Sequence, residues 1–312
     1  MTNNEVPPTP QRDVIREVDW LAVAPWLLVL RAVGATIGWP LLVGVIGYAV
    51  LDWETQPLNL DRLLNPADLV RYNADVWATN ATQISDGVAE ISWYRRVVWP
   101  TFRRLAWMML GVVIAQHAAQ RLSNSPRIGF LTSLRRALRY GPRVLGAIAL
   151  LAIPAACCAV FLGVCGLLVH AVFSSTLANG MASIGGVVGG LPLAMLLGVV
   201  VYGAPLLVAS VVVDDADPFD ALSRTVAYVF QKPGSLATCV FLGWIGLVVS
   251  SIVIHWLLTT SIEMTNAFTD GAPLALHCVL LGFFPAYFYC AGVATYLVMR
   301  RQVDGQPLDE IG

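Results

Sequence analysis

The sequence predicts an all-α integral membrane protein with six transmembrane helices, arranged as three units that each place a short elbow helix before a pair of spans. Three observations carry that expectation. Hydrophobic residues make up 57% of the chain and Asp, Glu, Lys and Arg only 12%, about half the charged share of an ordinary soluble domain. Charge is absent from four windows, Ala32–Leu51, Val144–Val213, Pro233–Ile262 and Gly271–Met299, each matching or exceeding the roughly 20 residues that a spanning helix requires. The arginines gather at one alternating set of window ends, and that bias sets the topology.

Residues 1–17 are polar and Pro-rich, without the basic start, apolar core and small-residue cleavage site of a secretory signal. They are expected to form a disordered cytoplasmic N-terminus ahead of the membrane domain, residues 18–301. Span one is expected near 32–52. The loop 52–96 carries seven acids against four arginines and is expected outside, with Trp77, Trp93, Tyr94 and Trp99 as an interfacial aromatic belt. Span two has 16 uncharged residues, Leu105–Gln120, which reach only about 24 Å as a helix. It is therefore expected to begin near Val97 and run to 118. That places Arg103 and Arg104 near its outer end, as interfacial anchors within snorkelling reach or as a candidate solute pathway.

The 70-residue window must hold spans three (144–170) and four (188–213). Pro154 interrupts the third, while Gly185, Gly186, Gly189, Gly190, Pro192 and Pro205 punctuate the fourth. A single helix from Ala182 to Val213 would run about 48 Å against a hydrocarbon core of about 30 Å, so its first turns are expected to be a loop or re-entrant piece. Spans five and six are expected near 236–259 and 274–299, followed by a tail at 302–312. The segment from His117 to Arg143 holds six arginines and no acid, and Arg300 and Arg301 follow the last window. Six spans with these charges inside put both termini in the cytoplasm.

The stretch Asp214–Thr225, DDADPFDALSRT, interrupts the apolar pattern with four acids in seven residues. It reads as a helix start. Asp217 suits the N-cap, Pro218 the first helical position and Asp220 the third, where carboxylates meet exposed N–H groups and the positive end of the helix dipole. Asp220 and Arg224 are a favourable pair four apart. Phe219, Leu222, Val226 and Val229 form one apolar stripe, as in an interfacial helix. A divalent-metal site would need more oxygens converging from a defined loop, and no metal is expected.

A second elbow precedes span three. Ser133–Tyr140 lies against Ala221–Tyr228, with Leu134 matching Leu222, Arg136 matching Arg224 and Tyr140 matching Tyr228. Leu131, Leu134 and Leu138 share one side, and Arg135, Arg136, Arg139 and Arg143 the other. A third, weaker copy runs from Trp26 through Arg31 to Pro40. The repeat units are about 20–120, 128–214 and 217–301. The combination of PFDALSRTVAYVFQKPG, RIGFLTSLRRALRYGPR after AQHAAQRL, and the ending YLVMRRQVDGQPLDE resembles a group of uncharacterised polytopic membrane proteins common in planctomycete-type bacteria. That resemblance covers most of the chain outside the loop 52–96. It implies a six-helix inner-membrane fold with no assigned activity, and it carries over no functional residues.

No catalytic constellation emerges. The sequence has no nucleotide-binding loop, no defensible Ser-His-Asp order and no nucleophile with a convincing base. Its four histidines lack metal-ligand spacing, and its six cysteines all lie in apolar windows as small hydrophobes. The chain is therefore expected to be no enzyme, without cofactor or nucleic-acid partner. It reads as a structural or interaction component of the inner membrane that meets anionic lipid through Arg135, Arg136, Arg139 and Arg143 and engages an unidentified protein partner. The alternative is a transporter or lipid-handling permease with a cavity between the hairpins.

Overall fold

The computed structural model describes residues 24–51, 99–123, 129–172, 180, 184–266 and 273–305. The expected N-terminal segment 1–17 and outer loop 52–96 lie outside the described residues, as does most of the tail. Among the described residues the structure is helical throughout. It comprises α1 (Leu27–Thr36), α2 (Trp39–Leu51), α3 (Trp99–Leu122), α4 (Phe130–Val172), a π-helical turn (Gly186–Gly190) leading into α5 (Leu191–Asp214), α6 (Pro218–Gln231), α7 (Pro233–Asn266) and α8 (Pro273–Val303).

The axis of the molecule is α8, which packs against α1, α2, α3, α5 and α7. Of its apolar window 72% is buried, against 22% for α7 and 6% for α4. Phe283, Ala286, Tyr287, Cys290, Val293 and Leu297 of α8 fill the centre. Ile153, Val160 and Leu167 of α4 and Val253 and Trp256 of α7 stand exposed. An exterior this apolar is unstable in water but matches lipid, in which helices also satisfy their own backbone groups. By length and composition three helices can cross a membrane, within α4, α7 and α8, and a fourth is added if the bent pair α1 and α2 is one span.

That bend departs from the single continuous helix expected over 32–52. The two helices meet at 64°, because Ile37 is extended (ψ 125) and Gly38 takes φ +112°, a conformation that glycine adopts without a Cβ clash. Arg121 of α3 fills the break. Its Nη1 donates to the carbonyls of Gly34 at 3.1 Å and Ala35 at 3.5 Å, and to that of Ile37. These are orphan carbonyls at the negative end of α1, where a cation is favoured.

The expected second elbow and span three form one helix rather than two. At 43 residues, α4 is about 65 Å long, twice the hydrocarbon thickness. Its first part is three-sided. Ser133, Ala137, Val144 and Ala147 are buried, while Leu131, Leu134 and Leu138 project from a second side and Arg135, Arg136 and Arg139 from a third. The first turns before α5, expected as a loop or re-entrant piece, are instead helical: a π-helical turn from Gly186 to Gly190 runs into α5 with helical dihedrals at Gly190 and Leu191, and it packs at Gly189 against Phe161 and Leu162 of α4.

Small residues draw α2 onto α8. A Cβ on Gly44 would lie 2.2 Å from the Gly282 carbonyl oxygen, and one on Gly282 would lie 2.5 Å from Val45 N and Cα. Helices in lipid associate through such close backbone approach, since apolar side chains alone gain little there.

Candidate functional site

The charged stretch at 214–224 organises a part-buried polar cluster. Asp217 caps α6: it is extended (φ −75°, ψ 168°) and its carboxylate accepts from the Asp220 N–H at 2.8 Å, with Pro218 following. Asp215 closes α5 in the left-handed region (φ 51°), which Asp tolerates better than most residues. Arg143 of α4 holds it there, donating from Nη1 to the Asp215 carbonyl at 2.9 Å and pairing with its carboxylate. Asp220 pairs with Arg224 at 3.0 Å across one helical turn.

Asp214 differs from the other three acids. Its side chain is only 8% exposed and faces two guanidinium groups, Arg224 Nη1 at 2.7 Å and Arg300 Nε at 3.3 Å, the latter an ion contact without hydrogen-bond geometry. The Tyr296 hydroxyl donates to the same carboxylate. Arg224 and Tyr228 lie four apart on α6, as do Tyr296 and Arg300 on α8, so α8 turns both its Tyr and its Arg toward Asp214, while α6 turns only Arg224 to it. The two tyrosine rings meet at 5.6 Å, tilted by 51°, and Tyr228 donates to Asp304 just past α8. Lys232 extends the contact, its Nζ donating to the Gln302 carbonyl at 2.7 Å.

The electrostatics follow from burial. Desolvation works against the Arg224 charge, but the hydrogen bonds to Asp220 and Tyr296 and the field of Asp214 outweigh it, so its pKa rises above the ordinary guanidinium value. Burial, reinforced by Asp304, lifts the Tyr228 phenol above the usual tyrosine range, leaving it a neutral donor. Each of the four acids has a partner within the protein, Arg224 serving both Asp214 and Asp220, and the arrangement ties the ends of α5, α6 and α8 together. Asp217→Ala is expected to lower stability by about 1 kcal/mol, the usual worth of an N-cap. Asp217→Asn should keep most of it, as read by thermal midpoints in detergent.

The other sequence-predicted residues fall elsewhere. Arg135, Arg136 and Arg139 are exposed on α4, whereas Arg143, grouped with them in the sequence reading, is bound to Asp215 and stacks within 5.8 Å of the Tyr140 ring. Arg103 is half-buried, and the side chain of Arg104 lies outside the described residues. On α6 the buried stripe is Ala221, Thr225 and Tyr228. Phe219 projects outward at 72% exposure and Leu222, Val226 and Val229 are half-covered, so the apolar stripe flanks the packed face. In the sequence Arg300 stands only as a topological charge, and Tyr296 and Asp304 carry no expected role. The signal was the Arg/Tyr spacing of four on both helices, together with opposite charges at the ends of two apolar windows.

Fold and site together define an all-helical protein of membrane type with an internal ion cluster at one end. No family model, curated protein or solved structure matches the chain.

Proposed function

We propose that the chain is a multi-pass inner-membrane component with a structural or interaction role rather than a catalytic one. In this reading six spans are grouped as three repeat units, the elbow of the second running without a break into its span within α4, with both termini cytoplasmic. The spans beyond those defined by length and composition are the second, ending in α3, and the fourth, formed by α5 and the π-helical turn before it. The observation that carries the reading is the first part of α4, where an exposed leucine side and an exposed arginine side flank one buried small-residue face. Such a helix lies at the water–lipid boundary, with leucines among acyl chains and arginines among phosphates. On α6 the sorting is similar: Ala221 and Thr225 face inward, while Phe219 and Phe230 are exposed.

Three exposed arginines near an anionic leaflet contribute on the order of 1 kcal/mol each. The Arg135→Gln, Arg136→Gln, Arg139→Gln triple variant is expected to lose the extra thermal stability that anionic nanodiscs give over zwitterionic ones. For the parent protein, that gain should shrink as salt rises toward 1 M, where screening falls to about 3 Å. A triple variant with the parent's lipid dependence would refute the surface role of α4.

A further inference from the structure

The break between α1 and α2 opens onto a half-enclosed cavity of about 460 Å³, lined by Gly38, Trp39, Pro40, Leu42, His117, Gln120 and Arg121. Its volume is that of a small-ligand pocket, and three features give it a chemistry. First, the Arg121 guanidinium lies in its wall, Nη2 standing 2.8 Å from where a Cβ on Gly38 would be. Second, the N-terminus of α2, a helix of 13 residues, opens on the same space and adds the positive end of its dipole. Third, His117 is only 6% exposed and its Nε2 has no hydrogen-bond partner among the described residues. A buried polar atom left so costs about 1–3 kcal/mol, which a ligand oxygen in the adjoining cavity would remove.

The apolar part of the lining continues outward. Leu42, Ile46 and Val50 recur every four residues along α2, at 47%, 52% and 68% exposure, so an exposed aliphatic track leads away from the cationic end. An anionic head with an aliphatic tail fits both parts. We infer that this cavity binds the phosphate of an anionic phospholipid, with Arg121 and the α2 N-terminus supplying positive potential, His117 Nε2 supplying a hydrogen bond, and one acyl chain lying on the Leu42–Val50 track. The site is separate from the arginines of α4 and does not depend on their role.

The test uses the full chain, purified in mild detergent and stripped of co-purifying lipid. Its thermal midpoint is followed during titration with phosphatidylglycerol, phosphatidylcholine or inorganic phosphate. Phosphatidylglycerol is expected to raise the midpoint saturably, with half-saturation at least tenfold lower than for phosphatidylcholine. His117→Leu and Arg121→Gln should each raise the half-saturating concentration about tenfold or more, while the α4 triple variant keeps the parent response. Because Arg121 also caps α1, Arg121→Gln can lose the fold. His117→Leu, which leaves the Arg121 cap of α1 in place, then decides the matter. Equal response to both lipids, a full response to inorganic phosphate but none to phosphatidylglycerol, or a His117→Leu variant titrating like the parent would each overturn the inference. So would a response abolished by the α4 triple variant and intact in His117→Leu.

Discussion

Asp214→Asn is expected to be the most damaging single substitution at the polar cluster. It keeps the shape of the side chain but removes the one negative charge shared by Arg224 and Arg300. Arg300 is the critical partner, because its side chain is only 7% exposed. Breaking a buried pair from one side costs about 3–5 kcal/mol, since an uncompensated charge remains behind. At roughly 2–4 °C per kcal/mol for chains of a few hundred residues, the midpoint in detergent should fall by on the order of 10 °C. The Asp220 side chain, 43% exposed, provides the comparison. Asp220→Asn removes a surface pair, and such pairs contribute about 0–1 kcal/mol. Equal melting of the two variants would show that the cluster around Asp214 holds nothing together.

Gly282→Ala is the second large effect, through packing alone. The added methyl would lie 2.5 Å from Val45 N and Cα, and backbone atoms cannot rotate aside as a side chain can. The helices must separate, and overpacking of this kind costs about 1–3 kcal/mol or more. Gly163 and Gly166 on α4 have open space around the position of a Cβ, so the same change there should stabilise by about 0.5–1 kcal/mol through helix propensity. The experiment is a comparison of detergent melting midpoints for the three variants. Opposite signs are expected within one protein, and a destabilised Gly163→Ala alongside a neutral Gly282→Ala would contradict the described packing.

What the sequence revealed, and what it concealed, follows from the range of each interaction. Helical class and the apolar windows were legible because hydropathy acts over some twenty consecutive residues. The start of α6 was legible too, since an N-cap and a proline act within one turn. The bend at Gly38 was hidden because its other half, Arg121, comes 83 residues later in the numbering. Likewise Arg300 appeared only as a topological charge, because nothing local to YLVMRR indicates that Asp214 faces it. Within α4 the basic and leucine sides were read from periodicity, but Arg143 was grouped with the lipid-facing arginines because its commitment to Asp215 is tertiary.

The central position of α8 bears on how the protein comes to be made. Every other described helix precedes it in the chain, yet it is the element around which α1, α2, α3, α5 and α7 are assembled. Synthesis delivers the chain from the N-terminus at several residues per second, so the earlier helices must wait in the bilayer with their inward faces open. Assembly is therefore a late event that follows insertion of the keystone helix, and during that interval the nascent chain depends on lipid or on the insertion machinery to occupy the vacant centre.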